Sequence, residues 1–394
     1  MKSKFRFSAF LAAIILFLFF GPYFFWWGLK TDYMAIFLKF VLFILFALNL
    51  EIKSNGKMAL FCLFLGLLIF IPISRGQNLF AVIYYTMLCT IPFGKHQFSS
   101  KVFDYFLSIY AVLMTISAFV YLLFLFHLAP QIGVLESLNE LKMHNYLVYP
   151  FMVVPNELSG FIVSRFCGLF DEPGVVGTIS AFLLVIGKFN LKDKRLLSVL
   201  ITGILSFSFF FYIIAFIYYF VYRISNSVNK RTSFFLLLAM IVVCIITYNI
   251  DFFYDAIWSR FVWDENRGSI TGDNRINQAS KDFFASLVGT SEFYFGVNDY
   301  EYFSDLSSGG FSIIMPMVQF GVLAVAVYFI IFIRYAWNYK QSIIPFGLFV
   351  FVFVGTLYQR PSLFTPDFLF MFSMMAETCR DNIVVTNNTA YAQA

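Results

Sequence analysis

The chain has 394 residues, 60% of them hydrophobic and only 12% charged, at a mean hydropathy of +0.80, where a soluble domain carries about 25% charged residues. A soluble fold of this length cannot hide so much apolar surface, so lipid is the expected solvent. The net charge of +5 does not point to nucleic acid: the 27 basic residues stand in ones to fours at the ends of apolar runs, where the positive-inside rule puts them.

The first run, 7–27, follows Lys2, Lys4 and Arg6 and is not succeeded by a small-residue cleavage site, so it reads as a membrane helix rather than a removable signal. Further runs fall at 33–50, 58–73, 79–93, 102–128, 173–189, 196–222, 234–250, 311–333, 342–358 and 362–378. Most fit one crossing of roughly 20 residues. Run 196–222 fits either one tilted helix or two short ones broken in TGILSFS, 202–208. With a cytoplasmic N-terminus, the break puts 17 of 27 basic residues inside, nine outside and Lys39 within a span. It also keeps the short basic loop Arg223 to Arg231 inside, and short loops set orientation. The expected fold class is therefore all-α: a polytopic transmembrane helix bundle of about 12 membrane segments, a single integral membrane domain over 1–394 with both termini cytoplasmic.

That topology sends two long segments outward, 129–171 and 251–310. The second holds ten of the 22 acidic residues and four basic ones, Arg260, Arg267, Arg275 and Lys281. Its aromatic content, Trp258, Phe261 and Trp263 among others, is too high for a disordered tail. Short amphipathic helices on the membrane surface are expected there, with 276–288 the leading candidate. Cys62, Cys89, Cys167, Cys244 and Cys379 form neither a disulfide framework nor a metal-ligand spacing. No phosphate-cradling glycine loop, zinc-type histidine spacing or nucleophile elbow occurs, so neither a metal nor a cofactor is expected.

The chemistry-bearing residues gather at predicted outer ends. RFCGLFDEPGVVG, 165–177, sets Arg165, Asp171 and Glu172 just before an apolar helix that Pro173 would open. Both acids also suit a plain helix start, where the dipole favours negative charge. Gly174 and Gly177, one turn apart, permit close helix packing or backbone approach to a ligand. Arg275 follows Asn274, which could be a simple N-cap. Arg360 lies at the outward end of the eleventh expected helix, run 342–358, and Arg75 lies in a short turn, and either could merely snorkel to head groups. Lys39, Asp104, His144 and Asp367 are weaker candidates, readable as interfacial or structural groups. Arg75, Arg165, Arg275 and Arg360 would share one membrane face, and the guanidinium fork matches phosphate oxygens in pairs. A site of this composition would hold a lipid diphosphate beside an acid able to take a proton.

The stretch RFCGLFDEPGVVGT resembles the Wzy-type O-antigen polymerases, bacterial inner-membrane glycosyltransferases of surface polysaccharide assembly. TGILSFSFFFY is similar to that family's paired short helices meeting at a Ser-rich break, and the large second outer loop fits as well. The resemblance covers roughly 160–335 in motifs and the whole chain in topology. It implies transfer of a growing glycan from one undecaprenyl diphosphate to a new lipid-linked repeat unit in the periplasm, without a metal or nucleotide sugar. A chain-length regulator is a possible partner. By this resemblance Arg165 and Arg275 bind and stabilise the diphosphate leaving group, Glu172 or else Asp171 is the general base, and Arg360 and Arg75 are supporting phosphate ligands. The related O-antigen ligases place a histidine before the helix that follows the second loop, whereas this chain reads LSSGG at 306–310. A flippase or other transporter is the rival from a different class. Transporters favour internal repeats and mid-span polar breaks, and here no repeat is evident and the ionisable groups sit toward the ends of the runs.

Overall fold

The computed structural model describes residues 2–29, 31–76, 79–136, 145–156, 165–226, 238, 242, 245–251, 254, 258–265, 269–270, 278–297, 313–340, 343–360 and 362–379. These residues are mostly helical. Helix α1 (Lys2–Phe19) buries Ala9, Ala12 and Ala13 on one face. Side chains this small let two backbones approach closely where apolar burial alone gives no drive, as in lipid. After a π-helical turn, Phe24–Leu29, follow α2 (Asp32–Ala47), α3 (Asn55–Ser74), α4 (Leu79–Leu88) and the 30-residue α5 (His96–Leu125). α1 and α5 run side by side in one direction, since Phe5 meets Phe98, Phe10 meets Tyr105 and Phe17 meets Phe106 with ring centroids 5.8, 5.5 and 6.2 Å apart. The end where both begin is here termed the near end and the opposite one the far end.

The first long segment holds an antiparallel sheet of β1 (Gly133–Leu135), β2 (Tyr146–Tyr149) and β3 (Met152–Pro155), with Leu147 opposite both Val134 and Val154. The all-α expectation omits it, because strands of three or four residues are too short to show a period. Their aromatic and β-branched residues are nevertheless what a half-buried pleated surface selects. Then α6 (Pro173–Ile186) descends toward the near end, and α7 (Lys194–Leu205) returns beside it. Run 196–222 is thus two helices: the chain breaks at Ser206 to Ser208, where Phe207 takes a left-handed φ of 46°, and α8 (Phe209–Asn226) starts at the far end. α6 and α8 run parallel, Gly177 lying against Ser208 and the Phe189 ring stacking on Tyr218 at 5.2 Å.

In the second long segment β4 (Trp263–Asp264) pairs with β5 (Ser269–Ile270), and two short helices follow, α9 (Gln278–Ser286) and α10 (Ser291–Phe295). α9 falls inside the stretch 276–288 expected to form an amphipathic helix. α11 (Ile314–Phe320), α12 (Val322–Tyr339), α13 (Ile343–Gln359) and α14 (Pro366–Glu377) complete the described chain. By length and composition α3, α5 and α12 are able to cross a membrane, and shorter apolar helices lie at Leu79–Phe93, Pro173–Ile186, Phe209–Tyr218 and Ile343–Gln359.

The core mixes aromatic rings with Leu, Ile and Val side chains. Phe353 packs edge-on to Phe372 at 4.8 Å and Phe320 to Phe364 at 5.0 Å, the offset that a ring quadrupole favours. At the near end, Glu377 is 4% exposed and accepts from Tyr335 Oη at 3.2 Å while His96 Nδ1 stands 2.6 Å from its other oxygen, which pins the last turn of α14 to the first of α5. Its 12 residues span about 18 Å, short of a hydrocarbon core of about 30 Å.

Candidate functional site

The first turn of α6 is the centre of the site. Pro173 opens the helix without a wasted N–H, and Glu172 occupies the N-cap position in extended conformation at φ −136°. A capping role is one reading of this residue, but its side chain makes no cap hydrogen bond. It turns across to the end of α13 instead, where Arg360 Nη2 donates to Glu172 Oε2 at 2.7 Å. The two side chains are 32% and 20% exposed, so the pair sits at the edge of the bundle rather than in its interior. Glycine at 174 is what lets Arg360 come so near: a Cβ there would stand 3.0 Å from Nη2. A methyl at Gly177 would overlap Ser208, so the same face also admits the start of α8.

Arg165 closes the other side of this turn. Its Nη2 donates to Phe207 O at 2.9 Å and its Nε to Ser206 O at 3.3 Å. These are the carbonyls that the end of α7 leaves without an intrahelical donor, where a cation also meets the negative end of the helix dipole. Because Ser208 touches Gly177 and Gly174 touches Arg360, both arginines flank one helix turn together with Glu172. Asp171 precedes it, half-exposed. Arg75 is placed differently: its Nη2 donates to Val297 O at 3.1 Å, toward the second long segment. Arg275, His144 and the stretch 306–310 lie outside the described residues.

Among the described residues, three buried polar atoms around this turn have no hydrogen-bond partner: Arg360 Nε, Gln359 Oε1 and Ser208 Oγ. Buried polar groups are nearly always paired, and in lipid an orphan costs more still. A ligand rich in phosphate and hydroxyl oxygens would satisfy them.

Two further sets of charges were weakly marked in the sequence. Asp104 accepts from Arg195 and Lys101, each at 2.7 Å, so it is a structural acid of the near end. Lys39 Nζ donates to Tyr84 Oη at 2.6 Å and lies 4.6 Å from that ring's centroid. Asp367 is 3% exposed, and its Oδ1 has no hydrogen-bond partner among the described residues. The sequence signal was an ionisable residue inside an apolar run, visible for Lys39 but not for Asp367, which reads as a helix-end charge. Among the described residues no three metal-ligating side chains come together. Comparison with protein-family models, with curated proteins and with solved structures finds no match to this chain.

Proposed function

We propose that this protein is a polysaccharide polymerase of the bacterial inner membrane, joining undecaprenyl-diphosphate-linked oligosaccharide repeat units into O-antigen or a related surface glycan. The observation that carries this reading is the Glu172–Arg360 pair at 2.7 Å on a glycine-cleared helix turn, with Arg165 on its other flank. In this reading the chain crosses the membrane about 12 times, both termini are cytoplasmic and the far end is periplasmic. Arg360, Arg165 and Arg275 hold the diphosphate of the donor lipid.

The resting pair gives the reaction an order. A carboxylate bonded to a guanidinium is a weak base. A diphosphate arriving at Arg360 competes for its N–H donors and releases Glu172. The freed carboxylate takes the proton of the acceptor sugar hydroxyl, whose oxygen forms the new bond to the donor's anomeric carbon. The bond from that carbon to the diphosphate oxygen breaks, and the arginines stabilise the charge that develops there, commonly the largest catalytic contribution. Asp171 is the alternative base. Undecaprenyl diphosphate is the other product, and a chain-length regulator is the expected protein partner.

A lipid-linked oligosaccharide flippase is the second reading, favoured by Lys39 and Asp367, ionisable groups set among apolar helices. Reconstitution into liposomes with purified lipid-linked repeat units separates the two. The polymerase reading expects a ladder of longer glycans. Lipid moved between leaflets with no ladder would overturn it. For orientation, an impermeant thiol reagent should reach a cysteine placed at 275 and not one at 228, and the reverse pattern would contradict the topology.

A further inference from the structure

Arg75, at the end of α3, is a far-end guanidinium that the diphosphate site does not absorb. Its Nη2 donates to Val297 O, 222 residues away in sequence, at 3.1 Å. Val297 in turn donates its N–H to Val318 O at 2.9 Å. Two glycines make this crossing possible. Gly296 ends α10 at φ 89°, ψ 158° and Gly321 ends α11 at φ 85°, ψ 154°. That region is open essentially to glycine alone. A Cβ at Gly296 would lie 2.5 Å from Gln319 O, and one at Gly321 would overlap Tyr294 O, so the two backbones touch. Leu287, Val297, Met315 and Val318 form a small apolar core of their own beneath α9 and α10. The Phe70 and Phe295 rings, 6.0 Å apart, repeat the tie between α3 and α10.

This assembly reaches the catalytic end through Phe320. Phe320, next to Gly321, packs on Phe364 in the turn that carries Arg360, 5.0 Å between centroids. We propose that Arg75 is a positioning residue rather than a ligand of the diphosphate: with Gly296 and Gly321 it clamps the α9–α10 hairpin to the bundle and so fixes where the turn that carries Arg360 stands. The proposal rests on the polymerase reading for what is positioned, while the clamp itself is independent of it.

The two roles differ in chemistry. A backbone carbonyl accepts from an ammonium as readily as from a guanidinium, whereas a forked phosphate contact does not survive exchange for lysine. The experiment uses the full chain, cysteine-free, with Phe70→Cys and Phe295→Cys joined by a short bifunctional maleimide. Cross-linking yield is read first, because it needs no activity: high with Arg75, high with Arg75→Lys and several-fold lower with Arg75→Ala. Chain extension of lipid-linked repeat units is read second. Arg75→Ala should lose at least tenfold, Arg75→Lys should stay within a few-fold of the parent, and the cross-link should restore Arg75→Ala. Should Arg75→Ala fail to accumulate, Gly321→Ala carries the same test, with a lower cross-linking yield and activity restored by the cross-link. A cross-linked Arg75→Ala or Gly321→Ala protein that stays inactive while its parent extends chains overturns the positioning role, as does an unchanged cross-linking yield. A parent that cross-links normally yet extends nothing contradicts the polymerase reading and leaves the clamp standing.

Discussion

Arginine–carboxylate contacts tie helices together at both ends of the molecule, Arg195 at the near end and Arg360 at the far end, but they are completed to different degrees. At the near end Arg195 engages four of its five N–H groups. Its Nε and Nη2 fork onto Asp193 at 3.1 and 2.7 Å, and its Nη1 reaches Asp104 Oδ1 at 2.7 Å and Ser108 Oγ at 2.9 Å. Lys101 takes the second oxygen of Asp104 at 2.7 Å. At the far end Arg360 shares one close contact with Glu172, and its Nε is buried without a partner. The near-end network spends most of its donors on fixed partners and holds α5 against α7. In the proposed reaction, the donor left over on Arg360 is what allows an exchange of partners.

Substitutions at the two ends should separate these roles. The largest effect is expected at Glu172: Glu172→Gln keeps shape and removes the base, and should cost about 10²- to 10⁴-fold in chain extension, with normal protein levels on immunoblots. Arg360→Ala should cost about 10²- to 10³-fold, and Arg360→Lys should recover little of it, since an ammonium cannot form the fork. Gly174→Ala sets a methyl against Nη2 of Arg360 and should lower turnover about tenfold by displacing that side chain, a loss of the size one hydrogen bond to a charged group represents. Arg195→Gln inverts the pattern. It should lower the melting temperature of the detergent-solubilised protein by several degrees and leave activity per folded molecule unchanged.

Acid supplies the smallest contrast. The Arg195 guanidinium, by hydrogen-bonding Asp193, holds that carboxyl below its ordinary value of 3.8. The folded protein therefore binds fewer protons than the unfolded one as the pH passes through that range. The stability this group contributes is fully present above about pH 4 and is lost as the pH falls toward its depressed value. Asp193→Asn should flatten the acid limb of a melting-temperature profile, while Glu172→Gln, remote from Arg195, should leave the contribution of Asp193 intact.

How much of this the sequence revealed depended on whether the signal was local. The break in run 196–222 was legible because the charge of Arg223 to Arg231 constrained which side that loop takes. Asp171, Glu172 and Pro173 announced a helix start on their own. The partner of Glu172 was not legible: Arg360 is 188 positions away, and a single arginine at a run's end looks the same whether it meets lipid or a carboxylate. Arg165 looked free for a phosphate, and only the fold brings it to the carbonyls at the end of α7. The β1–β3 sheet escaped because each strand is too short for a period to register. Arg75 was grouped with the other arginines by membrane side, and its tie to Val297 depends on a crossing of two glycines that no local pattern encodes.

The central claim, that Glu172 restrains Arg360 until a diphosphate displaces it, is tested most directly by measuring how tightly undecaprenyl diphosphate binds the purified Glu172→Gln protein. Release of Arg360 predicts several-fold tighter binding than in the parent, in a variant that no longer extends chains. Affinity equal to or weaker than the parent's would mean the pair only fastens α6 to α13, and the account would be wrong at its centre.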